Sequence, residues 1–207
     1  MCAQLLQADD ESIDMLTELL GSTDWVTREK AMKALEVMGA KAHTTLQKAV
    51  EAGTMPYAVY AARVLSRQRE PQIFYLMQQL IVSTNPLLGQ IAVDYVVRYS
   101  RNDAVSILLT YLLNSSYLVQ ISIVRMLGAL RAIDAVDTLI ELLDVSYGNT
   151  LRMTVVSALG RIGDRRALAV VRGLIEDNDP HVSRMARMAT ALIEGAVSVE
   201  WAYSAYS

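Results

Sequence analysis

The side chains best suited to nucleophilic, acid–base or metal chemistry are few: His43, His181 and the single cysteine, Cys2. The two histidines stand far apart in the sequence, and no His/Cys/Asp cluster has zinc spacing. His43 is expected to open a helix and His181 follows Pro180 at another helix start, so both read as ordinary surface or capping residues. One thiol can form no internal disulfide, and Cys2 reads as incidental. No Gly-rich loop ending in Gly-Lys-Ser/Thr and no Gly-x-Ser-x-Gly turn occurs. On these grounds no catalytic residue, metal ligand or cofactor is assigned, and the chemistry left to weigh is that of recognition.

Composition frames that surface. With 207 residues, 53% of them hydrophobic and 20% charged, and a mean hydropathy of +0.26, the chain has ample material for a packed core. The formal net charge of -3 argues against a dominant phosphate-binding surface, so nucleic acid is disfavoured as a partner. No apolar run approaches the roughly 18 residues of a membrane span. The first residues lack the basic stretch of a signal peptide. The expectation is a soluble, cytoplasmic protein with no membrane partner.

The elements that would position a recognition surface are helices. Four Pro and ten Gly are sparse punctuation, and aliphatic residues recur at spacings of three and four, so no strand is expected. Self-alignment then shows a repeat. Ala31, Ala61, Ala92, Ile123, Val155 and Ala186 stand 30, 31, 31, 32 and 31 residues apart, and Leu35, Leu65, Val96, Leu127, Leu159 and Thr190 keep the same steps. Such self-similarity is the mark of a solenoid whose units bury a face against their neighbours. Each unit reads as two helices. The first helices are expected near 10–20, 42–51, 71–82, 103–113, 135–144 and 167–176, and the second near 26–38, 56–67, 86–99, 117–130, 149–162 and 181–193. Asp24, Asn149 and Asp179 are placed to cap second helices, and Pro56, Pro86 and Pro180 to start them.

The periodicity also assigns a core. Thr27, Ala31, Ala34, Leu35 and Met38 share one face of a second helix, as do Leu151, Val155, Ala158, Leu159 and Ile162. First helices supply the facing half through Ile13, Leu16 and Leu20, through Val105, Leu108 and Leu112, and through Leu168, Val171 and Ile175.

Three features resemble a known repeat: Asp179-Pro180 with Val182, Leu151-Arg152 before Ala158-Leu159-Gly160, and Ile162-Gly163-Asp164 before Ala167. They are similar to the short HEAT-like repeats that also occur in bilin lyases of phycobiliproteins. The first unit keeps Asp24, Arg28, Ala34-Leu35 and Met38-Gly39, the fourth keeps Leu127-Gly128 and Ala135-Val136, and the second and third depart furthest. The resemblance implies an all-α fold, a right-handed α-solenoid of about six HEAT-like hairpins over residues 1–195, followed by an aromatic tail over 196–207. HEAT-like hydroxylases share this resemblance but hold iron through His-Glu pairs, and the sequence contains none.

In such repeats the second helices line the concave side. Positions 29, 33 and 36 lie opposite the buried stripe, and the same face carried through the repeats brings forward Val59, Arg63, Val97, Ile121, Arg125, Met153, Arg184 and Met188. Met and Arg among aliphatic side chains are what protein interfaces favour. Gly128 and Gly160 on this face are expected to leave a shallow space. The leading expectation is therefore a non-enzymatic scaffold or adaptor gripping a partner's helix or extended segment. The alternative implied by the resemblance is a bilin lyase subunit or chaperone-like relative, with Tyr60, Tyr95 and Arg125 near a tetrapyrrole carboxylate. Charge is uneven along the chain: residues 1–60 hold 5 Lys/Arg against 9 Asp/Glu, and residues 150–195 hold 7 against 5. Arg161, Arg165, Arg166 and Arg172 read equally as a receptor for an acidic segment or as a solvated face, and Trp201, Tyr203 and Tyr206 are expected to fold back over the end of the stack in preference to acting as a docking peptide.

Overall fold

The computed structural model describes residues 10–144 and 147–196, and among these all regular structure is helical. Cys2 and the tail residues Trp201, Tyr203 and Tyr206 lie outside the described residues. The chain forms two compact units, Met1–Tyr99 and Ser100–Ser207. In the first, α1 (Asp10–Glu18) pairs with α2 (Trp25–Met38), α3 (His43–Glu51) with α4 (Tyr57–Leu65), and α5 (Pro71–Leu80) with α6 (Pro86–Tyr99). In the second, α7 (Ala104–Leu112) pairs with α8 (Tyr117–Ala129), α9 (Val136–Glu141) with α10 (Asn149–Ile162), and α11 (Leu168–Gly173) with α12 (Pro180–Ile193). Among the described residues no helix is long and apolar enough to cross a membrane.

The hairpins follow from the sequence at the expected places. Asp24 caps α2 by accepting from the N–H groups of Val26 and Thr27, and Asp179 caps α12 by accepting from those of His181 and Val182. These bonds, with the Thr27 hydroxyl at Asp24, hold both carboxyls below their usual range. Pro86 and Pro180 are the first residues of their helices, whereas Pro56 is the residue before α4. Asn149 departs from expectation. Gly148 precedes α10, and the Asn149 side chain instead accepts from Arg152 Nη1 at 3.2 Å and donates to Asp179 Oδ2 at 2.6 Å. The later first helices are also shorter than expected. Single-turn 3-10 segments at Ile133–Ala135, Arg165–Ala167 and Leu174–Glu176 replace their ends.

Both repeat columns are core. Ala31, Ala61, Ala92, Ile123, Val155 and Ala186 are buried, as are Leu35, Leu65, Val96, Leu127, Leu159 and Thr190. Within each unit every second helix packs on the next: α2 on α4 and α4 on α6, then α8 on α10 and α10 on α12. These last two contacts are the tightest in the backbone sense. A Cβ added to Gly128 would lie 2.8 Å from Ala158 Cα, and one added to Gly160 would lie 2.8 Å from Ala189 Cα. Gly128 and Gly160 are therefore contact points between neighbouring helices. They open no shallow space on the surface, contrary to expectation, because a second helix flanked on two sides buries a wider arc than one facing a single neighbour.

Arg152, which is 3% exposed, fastens the last two hairpins together. Its Nε donates to the Leu143 carbonyl at 3.0 Å, and its Nη2 pairs with Asp177. Asp177 Oδ1 also accepts from the Asp179 N–H at 2.9 Å. The Arg152 guanidinium and that N–H hold the Asp177 carboxyl below its usual value.

Two outcomes test this packing. Alanine normally improves a helical glycine position, yet Gly160→Ala is expected to lower stability by about 1–3 kcal/mol because the helices must part. Gly173→Ala in α11, where nothing lies within 4 Å of the new Cβ, should be neutral or stabilising in the same urea titration. Asp177→Ala, which strands a buried guanidinium, is expected to cost about 3 kcal/mol. Because the folded-state value of Asp177 is depressed, its contribution is present above the unfolded carboxyl value of about 3.9 and disappears as pH falls through the folded one. Urea midpoints measured from neutral pH downward should fall below about pH 4 in the parent and fall less in Asp177→Asn.

Candidate functional site

A groove of about 260 Å³ opens on the second-helix face of the second unit. α8 contributes Arg125, α10 contributes Met153, Ser157 and Arg161, and α12 contributes Met185. Its floor is set by the helix contact already described. Ala158 faces Gly128 across that contact and also lines the groove, so the backbones run close beneath it. Thr154 on the wall spends its hydroxyl on the Thr150 carbonyl at 2.8 Å, which leaves the methyl group as its contribution to an incoming surface. Two thioethers, an alanine and the threonine methyl groups supply the apolar part of this lining, and the guanidinium-bearing Arg125 and Arg161 share it.

Of the expected face residues, Arg125 and Met153 come together in this groove. Ile121 and Met188 are half-buried on the same helices and Arg184 is exposed, its Nη2 lying 3.2 Å from His181 Nδ1. In the first unit Arg63 is exposed, with its guanidinium 5.9 Å from the Tyr60 ring centre, and Val97 is half-buried. Val59 does not belong to the surface. It is 5% exposed, because α4 packs against both α2 and α6 and the buried arc extends around to it. Met185 is the residue that sequence reasoning passed over, being three positions from the expected Met188 and on the groove side of α12.

Other expected groups resolve differently. His43 is buried, not at the surface: its Nδ1 accepts from Gln72 Nε2 at 2.9 Å and its Nε2 donates to Gln68 Oε1, which satisfies the ring in the Nε2–H tautomer. His181 is exposed at the start of α12. Among the described residues no group of three or more His, Cys, Asp or Glu could hold a metal ion. Tyr95 is also buried. Its hydroxyl donates to the Gln68 carbonyl at 3.1 Å, and desolvation pushes it up to about 12. The C-terminal arginines are largely matched within the unit: Arg166 pairs with Asp137 at 2.8 Å and Asp164 at 2.9 Å, and Arg172 with Glu194.

Comparison with known proteins agrees with this architecture. Residues 107–192 match a family model described as HEAT repeats. No curated protein matches the sequence. Among solved structures, human deoxyhypusine hydroxylase in complex with glycerol is similar at 17% identity and a TM-score of 0.53, over 94% of this chain and 77% of that one. An engineered protein is similar at 19% identity and a TM-score of 0.54, over 91% and 98%. A designed armadillo repeat protein is similar at 14% identity and a TM-score of 0.50, over 87% and 99%. At these identities the likeness is one of fold alone.

Proposed function

We propose that this HEAT-like repeat protein is a protein-binding module, and that its partner is held on the second-helix face. The observation that carries the reading is the groove in which Arg125 meets Met153 and Met185. Arg and Met are enriched where protein surfaces desolvate each other, and a flexible thioether adapts to whatever apolar side chain arrives. A trough running across three parallel-stacked helices suits a partner helix or an extended segment that inserts one apolar anchor between the arginines. Ile121, Arg184 and Met188 would extend the contact within the second unit.

The bilin-lyase alternative draws no support from this groove, whose lining holds neither Cys nor His. Under that alternative, mixing the chain with a bilin would change the visible absorbance. The binding-module reading expects no change.

The test is affinity purification with quantitative mass spectrometry from cells making the parent, Met153→Glu or Arg125→Glu. A charge buried at an interface centre costs several kcal/mol, so a specific partner should drop by at least about tenfold with either variant. Recovery of the same proteins at the same level by both variants would overturn the assignment of the groove.

A further inference from the structure

We propose that the first unit carries a separate site for an acidic peptide segment, a basic double groove on α4 and α6. Cavities of about 250 Å³ and 140 Å³ share Ser66, Arg67 and Arg98. The larger adds Arg63, Ile91 and Asp94, and the smaller adds Arg69 and Tyr99. Four guanidinium groups thus converge on a space whose lining holds one carboxylate.

The fate of each charge decides what the space can take. Glu36 pairs with Arg67, so that cation is matched from within. Arg63, Arg69 and Arg98 form no ion pair among the described residues. Arg98 Nε donates to the Asp94 carbonyl at 3.2 Å, a bond that aims the guanidinium without neutralising it. Arg63 over the Tyr60 ring is oriented in the same sense. Cations at the last turn of a helix also complement its carbonyl end, but that role needs no cavity and no convergence from two helices.

The walls are prearranged. Tyr99 stacks on Phe74 at 4.8 Å and on Tyr95 at 5.3 Å, and the Tyr95 hydroxyl is fixed on the Gln68 carbonyl. Rigid aromatic walls and oriented forks lower the ordering cost of binding. Geometry also favours a chain over a small anion. Packed helices lie about 8–10 Å apart, and side chains two residues apart on an extended strand are separated by about 7 Å. Two carboxylates at that spacing can meet an arginine from each helix, while the methylene groups of the same two side chains lie over Ile91 and Tyr99. The bidentate match of guanidinium to carboxylate supplies the specificity.

Fluorescence anisotropy of a labelled peptide of alternating Glu and Leu, titrated with the full chain, tests this. Binding is expected, with a loss of at least about tenfold in Arg63→Glu and Arg98→Glu and a marked weakening in high salt. Both side chains are exposed, and circular dichroism with melting curves checks that the variants fold; Arg63→Gln and Arg98→Gln serve if they do not. Arg125→Glu should bind this peptide like the parent, so failure here and failure of the second-unit groove are read separately. Equal binding of the peptide with Gln in place of Glu, parent-like binding by the Arg63 and Arg98 variants, or full displacement by equimolar inorganic phosphate would each overturn the proposal.

Discussion

The approach of neighbouring second helices is the constraint from which most of the second unit follows. Hydrogen is the side chain that fits at residues 128 and 160, because the facing alanine Cα atoms leave 2.8 Å for anything larger. That closeness accompanies the full burial of Leu127 and Leu159 and places Ala158, which faces Gly128, in the lining of the groove. It also decides which side chains can be neighbours across helices. Arg125 and Met153 share a groove because their helices are separated by a glycine–alanine contact in place of a layer of leucines.

Charge is organised on a finer scale than net values reveal. The first sixty residues are acidic in sum, yet the first unit gathers arginines at the ends of α4 and α6. The C-terminal region is basic in sum, yet Arg152, Arg166 and Arg172 are paired inside the unit with Asp177, Asp137, Asp164 and Glu194. A cation already matched by a neighbouring carboxylate has little left for a partner, whereas one held by an aromatic ring or a main-chain carbonyl keeps its charge. The distinction lies in contacts made between repeats.

Periodicity made the fold legible. The two columns of small and aliphatic residues place every hairpin, and the Asp24 and Asp179 caps and the Pro86 and Pro180 starts fall where local chemistry puts them. The site was legible only in part, since a helical wheel assumes one buried side. On that assumption Val59, Gly128 and Gly160 fall on the surface, whereas Val59 is buried and the two glycines lie in contacts between adjacent second helices. His43 reads as a surface residue for a related reason: its partners Gln68 and Gln72 come from the loop after α4 and from α5, a repeat away in the sequence. The basic groove did leave a trace, since Arg67 and Arg98 stand 31 residues apart, one repeat step, the first just beyond the end of α4 and the second on the last turn of α6.

The Arg152 bridge has a mechanical consequence. Through Asp177, and through Asn149 to Asp179, one interior cation ties α10 to the loop that starts α12. Peeling the terminal hairpin from the stack would leave that guanidinium without its counter-ion inside apolar surroundings. Parting α12 from α10 thus carries an electrostatic cost on top of the loss of apolar contact.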